Sequence, residues 1–95
     1  MGRLTDDEIA DRLDRGDWRR ERDEIVRELE FADFATAVAF VDRVAAAAEQ
    51  ANHHPDILIH GYKHVRLTLS THSEGGLTAA DFALSETIDG LVDAD

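Results

Sequence analysis

The segment from Phe34 to Ala48 constrains the fold of this chain more than any other part of its sequence. Apolar and small residues recur there at the spacing of one helix face, namely Phe34, Ala37, Val38, Val41, Val44, Ala45 and Ala48. Asp33 is the predicted N-cap, and we expect the helix to end around Ala51, since Pro55 prevents its continuation. The many alanines on this face allow a sheet or another helix to approach closely.

Four segments with strand-like patterns flank this helix, two on each side. Residues 18–21 and 24–31 predict a hairpin, and one face of its second strand carries Ile25, Leu29 and Phe31. Residues 57–59 predict a short apolar strand after the proline. Residues 63–71 alternate, with one face formed by Val65, Leu67 and Leu69 and the other by His64, Arg66, Thr68 and Ser70.

Two segments near the ends of the chain carry the pattern of a helix start. Residues 4–9 supply an N-cap threonine, a glutamate three residues later and flanking apolar residues that pack together. We expect this first helix to run to about Asp14 and to stop near Gly16. Residues 77–82 repeat the pattern with Asp81 in place of the glutamate, and the last helix is predicted to bury Leu84, Ile88 and Leu91.

The resulting order of elements is α-β-β-α-β-β-α, with a tight turn at residues 73–76. This order predicts a single α+β domain over residues 1–95, in which the helices pack on one face of a four-stranded antiparallel sheet. The chain has no cysteine, so disulfides and thiolate metal sites are excluded. A domain of 95 residues has a small core, and self-association is a natural source of further apolar burial.

The charge of the chain is strongly negative. Asp and Glu number 21 against 10 Lys and Arg, which gives a formal net charge of −11. Such a surface repels phosphate backbones and argues against nucleic acid as a partner. No run reaches the length of a membrane span and the N-terminus lacks a signal-like apolar region, so we expect a cytoplasmic protein without a membrane partner. The acidity indicates either simple solubility or a source that lives in high salt.

Five histidines fall within twenty residues, and the rest of the chain has none. Imidazole exchanges protons near neutral pH, so the cluster suggests acid/base catalysis, metal binding or a pH switch. His53 and His54 follow the long helix and His72 ends the long strand, so these element ends can converge over one rim of the sheet. For His60 and His64 we expect surface or structural roles.

A metal site competes with acid/base catalysis as an interpretation of these histidines. Three imidazoles with Glu49 or Asp56 would suit zinc, but the spacing matches no HExxH arrangement, and neighbouring histidines rarely bind one ion together. We therefore expect no metal. Trp18, the only tryptophan, either stacks on a flat heterocycle or covers the core with its indole edge in water.

Several motifs in this chain resemble those of the pterin-4a-carbinolamine dehydratase family. The most specific are Glu49-x-x-x-His53-His54-Pro55-Asp56 and the strand that ends in Ser70-Thr71-His72. Gly75-Gly76-Leu77-Thr78-x-x-Asp81 follows, and Gly16-x-Trp18 and Phe31-x-x-Phe34-x-x-Ala37-x-x-Phe40 precede them. The resemblance extends from about Leu4 to Asp89. Lys63-His64-Val65 departs from the Asn-Lys-Val that many relatives have after the aromatic residue.

The resemblance implies an α+β fold of the order given above and an enzyme that needs no cofactor. It implies loss of water from 4a-hydroxytetrahydropterin to give quinonoid dihydropterin, in tetrahydrobiopterin recycling, by a homodimer or homotetramer. The implied catalytic residues are His53, His54 and His72. The implied pterin-binding residues are Asn52, Ser70, Thr71, Ser73 and Trp18, with Glu49 and Asp81 as orienting carboxylates.

Elimination of the hydroxyl requires a proton on the departing oxygen and removal of a proton from a ring nitrogen. Two imidazoles of opposite protonation can do both, and we predict that His53 and His72 form this pair while His54 orients the substrate. A non-enzymatic pterin-binding or dimerisation-cofactor protein is the alternative that the family leaves open.

Overall fold

The computed structural model describes residues 2–14 and 16–94 and has the predicted order of elements. The helices are α1 (Asp6–Leu13), α2 (Phe34–Ala51) and α3 (Ala79–Ala94), and a single 3₁₀ turn spans His72–Glu74. The strands are β1 (Arg19–Glu21), β2 (Glu24–Glu30), β3 (Asp56–His60) and β4 (His64–Leu69). They form one antiparallel sheet in the order β1-β2-β4-β3.

The core lies between the helices and one face of the sheet, which confirms the predicted α+β architecture. Ile25 pairs with Leu69 and Leu29 with Val65 across the two central strands, so their side chains share the face that the helices cover. The buried helical partners include Ile9 of α1 and, from α2 and α3, Ala37, Phe40, Val44, Ala48, Phe82, Leu84 and Ile88. The alternation predicted for β4 is confirmed, since Val65, Leu67 and Leu69 are fully buried.

Side-chain caps fix the first residues of α1 and α2 as predicted. Thr5 accepts a hydrogen bond from the backbone N–H of Glu8, whose carboxylate accepts one from the N–H of Thr5. Asp33 accepts from the N–H of Thr36 and begins α2. The first helix ends at Leu13 with Asp14 as its C-cap, slightly before the predicted stop.

The buried face of α2 differs in part from the predicted one. Phe34 is 55% exposed at the first position of the helix, and Ala45 is also exposed. Phe40, which the predicted stripe omitted, is fully buried, and its ring centroid lies 5.0 Å from that of Phe31. The buried positions of α2 are Ala37, Phe40, Val44 and Ala48, which are three, four and four residues apart. This spacing follows the helical period, and Ala45 does not lie on that face.

Strand β4 is shorter than predicted, and this changes the setting of His72. The strand ends at Leu69, and Thr71 forms an isolated bridge with Gly76. His72 therefore begins the 3₁₀ turn enclosed by that bridge and does not end the strand. Among the helices of the described residues, none combines the length and apolar character needed to cross a bilayer.

Candidate active site

Asp81 is the centre of a buried hydrogen-bond network at the start of α3. Its side chain is fully buried. One carboxylate oxygen, Oδ2, accepts from the hydroxyl of Thr71 at 2.7 Å and from the backbone N–H of Thr78 at 2.9 Å. The other, Oδ1, lies 2.6 Å from Nε2 of His53. Asp81 thus joins Thr71, two residues after the end of β4, to the segment that follows α2.

The donors and acceptors of this network determine where its protons lie. An ionised carboxylate only accepts hydrogen bonds, so Nε2 of His53 carries the proton that faces Asp81. When the ring is neutral, its Nδ1 atom then carries a lone pair. Thr71 gives its hydroxyl proton to Asp81, so the hydroxyl of Thr78, 2.9 Å away, donates to that of Thr71. This network orients His53, which is 16% exposed, with one basic nitrogen free.

The end of α2 directs His53 towards α3. Asn52 caps the helix in the left-handed conformation, with φ of 51°, which asparagine tolerates better than most residues. The backbone N–H of His53 bonds to the carbonyl of Ala48 at 3.1 Å. The predicted pterin-binding residue Asn52 therefore has an observed structural role, since its backbone turns the chain out of the helix.

His54 forms a second imidazole–carboxylate pair, in a more exposed setting. Its Nε2 lies 2.5 Å from Oε2 of Glu49 on the last turn of α2, and the side chains are 57% and 76% exposed. Each of the two predicted orienting carboxylates thus contacts a different histidine. His54 faces water, so Glu49 restricts its ring less firmly than the buried network restricts His53.

His72 lies at a shallow pocket of about 310 Å³ beside the β1–β2 turn. Its other lining residues are Arg22, Asp23, Glu24, Ser70 and Gly75. The hydroxyl of Ser70 donates to the backbone carbonyl of Asp23 at 3.0 Å, and Ser73 is exposed in the 3₁₀ turn. His53 and His54 are not among the lining residues of this pocket, and His72 connects to the His53 network through its chain neighbour Thr71.

Trp18 is buried, and its Nε1–H donates to Asp89 at 2.8 Å. It lines a cavity of about 480 Å³ together with residues of α1 and α3, among them Arg12, Phe82 and Ser85. None of the three predicted catalytic histidines lines that cavity. Trp18 therefore covers the core in this structure, and its polar edge is satisfied by Asp89.

Sequence reasoning missed Thr78 as part of the site. Its hydroxyl bonds to that of Thr71 and its N–H bonds to Asp81, so it supports the carboxylate that contacts His53. The helix-start pattern at residues 77–82 was the available signal. That pattern predicts a contact between the N–H of Thr78 and Asp81. It does not predict that the other oxygen of Asp81, Oδ1, contacts His53.

In ranges 2–14 and 16–94, no three His, Asp or Glu side chains come together as a group that could hold a metal ion. His53 pairs with one carboxylate, that of Asp81, and His54 pairs with one, that of Glu49. These are pairs suited to fixing the orientation and tautomer of a ring and to moving protons.

Comparison with known proteins identifies the family of this chain. A family model described as pterin 4 alpha carbinolamine dehydratase matches residues 2–91. The chain belongs to this family. A protein of Chloroflexus aurantiacus, provisionally named pterin-4-alpha-carbinolamine dehydratase, is 53% identical over 93 residues, which cover 97% of this chain and 99% of the relative.

Two solved structures share the dehydratase-family fold. A transcriptional coactivator/pterin dehydratase from Brucella melitensis superposes with a TM-score of 0.88 at 33% identity, covering 95% of this chain and 98% of its own. A pterin dehydratase-like protein described as a RuBisCO assembly factor of the alpha-carboxysome has a TM-score of 0.67 at 28% identity, with coverage of 81% and 90%. Of these two structural neighbours, the first is described as a coactivator and dehydratase and the second as an assembly factor.

Proposed function

We propose that this chain is a pterin-4a-carbinolamine dehydratase, which removes water from 4a-hydroxytetrahydropterin to give quinonoid dihydropterin in tetrahydrobiopterin recycling. Membership of the family supports the reaction class. The observation that carries the proposal is the contact of 2.6 Å between His53 and the fully buried carboxylate of Asp81. A carboxylate held in this way fixes the tautomer of an imidazole and stabilises its protonated form, as a general base requires.

The proposed elimination moves one proton in each direction and releases one water molecule. Nδ1 of His53 takes the proton from the ring nitrogen, and the electron pair of that N–H bond forms the new double bond to C4a. The C4a–O bond breaks, and the protonated imidazole of His72 gives its proton to the departing hydroxyl. Solvent then returns both rings to their starting states.

Asp81 assists this step by its charge as well as by its geometry. It remains ionised while His53 becomes an imidazolium, so an ion pair forms where a neutral ring faced a carboxylate before. Because the carboxylate is fully buried, water screens this attraction little. His54, held by Glu49, is the proposed hydrogen-bond donor that orients the pterin.

The test is turnover of chemically generated 4a-hydroxytetrahydropterin by single variants. We expect His53→Ala and His72→Ala each to lower kcat by about 10²–10⁴, the usual contribution of a positioned acid or base. His60→Ala is the matched control, because this histidine lies at the far end of β3 and contacts His64 instead of the Asp81 network. Near wild-type turnover by both His53→Ala and His72→Ala would show the mechanism to be wrong.

A role in protein assembly is the second candidate, and we propose it for the homodimer or homotetramer form of the chain. It is supported by the similarity to the RuBisCO assembly factor. Four large apolar side chains are also exposed, namely Phe34, Ile57, Leu58 and Tyr62, at 55%, 36%, 51% and 61%. Wild-type protein that binds a pterin without dehydrating the carbinolamine would favour this candidate. Sedimentation equilibrium would measure the oligomeric state.

A further inference from the structure

The β3–β4 hairpin brings together two histidines that the proposed mechanism does not use. His60 is the last residue of β3 and His64 the first of β4, and they are directly opposite each other in the register. Their ring centroids are 5.4 Å apart with an interplanar angle of 25°. Because Val65 faces the core, His64 and its partner His60 face the side of the sheet that carries no helix.

The spacing of these rings matches that of two imidazoles on one metal ion. Zinc–nitrogen bonds of about 2.0–2.1 Å in tetrahedral geometry place two ring centroids roughly 5 Å apart. The observed rings are 5.4 Å apart and nearly parallel, so each ring has to rotate before a nitrogen of both points at one ion. Imidazole nitrogen is a preferred ligand of Zn²⁺, Cu²⁺ and Ni²⁺.

The hairpin turn restricts the position of the His64 ring. Gly61 has φ of +53°, and a Cβ placed there would meet Cδ2 of His64 at 3.1 Å. The ring is thus packed against the turn that also carries His60 at its other end. Part of the entropy cost of bringing two ligands together is therefore already met by the fold.

Acidic residues next to the pair favour cations. Glu30 on β2 is opposite His64, and its carboxylate bonds to Lys63 at 3.0 Å. Glu28, on the same strand, accepts a hydrogen bond from Arg19 at 2.8 Å and also lies near His60. The net charge of −11 adds a general attraction for cations.

We propose that His60 and His64 bind one divalent transition-metal ion, with water completing its coordination. The described residues supply no third His, Asp or Glu in a preformed group, so this is a two-ligand site. A bound ion would tie the edge strand β3 to β4. The inference is independent of the proposed dehydratase activity, because neither histidine contacts the Asp81 network.

Titration of the full chain with Zn²⁺, followed by calorimetry, tests the site. We expect His60→Ala and His64→Ala each to weaken Zn²⁺ binding at least ten-fold, and Cu²⁺ to bind the wild type more tightly than Zn²⁺. His53→Ala and His72→Ala, which keep the hairpin pair, should bind Zn²⁺ within about two-fold of the wild type. This comparison separates the proposed site from ions held by the other histidines.

Two further measurements keep the test independent of folding defects. Zn²⁺ should raise the Tm of the wild type and leave that of the His60→Ala/His64→Ala protein unchanged, provided that circular dichroism shows both to be folded. NMR should show Zn²⁺-induced shifts in the ring signals of His60 and His64. A folded double variant with wild-type Zn²⁺ affinity, or ring signals that do not move at saturation, would overturn the proposal.

Discussion

Replacement of Asp81 by asparagine tests the proposed role of His53 most directly, because the side chain keeps its shape. Oδ2 of Asp81 accepts from two donors, the hydroxyl of Thr71 and the N–H of Thr78, so the asparagine oxygen must occupy that position. The amide NH₂ group then faces Nε2 of His53, which has to accept. The substitution therefore moves the His53 proton to Nδ1, the atom that we propose as the base.

The same contacts set the cost in stability. A hydrogen bond to a charged group contributes about 1.5–3 kcal/mol, and loss of the carboxylate charge weakens all three bonds to Asp81. Burial of a neutral amide in place of an ion recovers part of the desolvation cost. We expect the free energy of unfolding to fall by about 2 kcal/mol. For a domain of 95 residues, this lowers Tm by roughly 8–16 °C.

The assay is turnover of 4a-hydroxytetrahydropterin at a temperature where the variant is fully folded. We expect kcat to fall by about 10²–10⁴, with ¹H–¹⁵N NMR of the His53 ring showing the proton on Nδ1. Asp89→Asn is the matched control, since Asp89 lies on the same helix and bonds to Trp18 and Arg27. It should lose stability and keep turnover. Asp81→Asn turnover within about three-fold of wild type, with the proton demonstrably on Nδ1, would refute the reasoning.

Three further predictions concern caps and charges. Thr5→Ala removes the N-cap of α1 and should cost about 1 kcal/mol in unfolding free energy, measured by urea denaturation, with Thr5→Ser as the control that keeps the cap. Hydrogen bonds from Thr5 lower the pKa of Glu8, and hydrogen bonds from Thr36 lower that of Asp33. The two carboxylates therefore stabilise the fold above their unfolded-state pKa values, and this stabilisation is lost as the pH falls through their folded-state pKa values. We expect Asp33→Asn to reduce the loss of Tm on acidification. An acid profile of Tm equal to that of the wild type would contradict this. If the acidity reflects a high-salt source, Tm should rise from dilute buffer to molar KCl because salt screens the net charge of −11, and no rise would end that explanation.

Local patterns in the sequence were sufficient for the order and most bounds of the elements. The predicted cap at Asp33 and end at Ala51 of α2 are both observed, because caps and helix-terminating residues act over a few neighbouring positions. The end of β4 was not predictable in the same way. The bridge from Thr71 to Gly76 depends on pairing across the turn, and the alternating residues 69–71 carry no sign of it.

Arg27 shows a second limit of pattern reasoning. It lies between Ile25 and Leu29 on the strand and so shares their core-facing side, where a charged residue is unexpected. It is 8% exposed and contacts Asp17 and Asp89. Asp89 is 62 residues away in the sequence, so only the tertiary structure shows that the charge is paired. Such an ion pair cannot be predicted from the sequence pattern because its partners are far apart in the chain.

Asp81 links the fold to the candidate site, because its two carboxylate oxygens make different contacts. Its Oδ2 completes the start of α3 through the N–H of Thr78, and its Oδ1 holds His53. The sequence pattern predicted the first contact from a short-range rule, whereas the second joins positions 28 residues apart. Substitutions in this network should therefore lower stability and turnover together, while those in the Asp89 network should lower stability alone. Measuring Tm and kcat for variants of both networks therefore distinguishes a residue that positions His53 from one that only stabilises the fold.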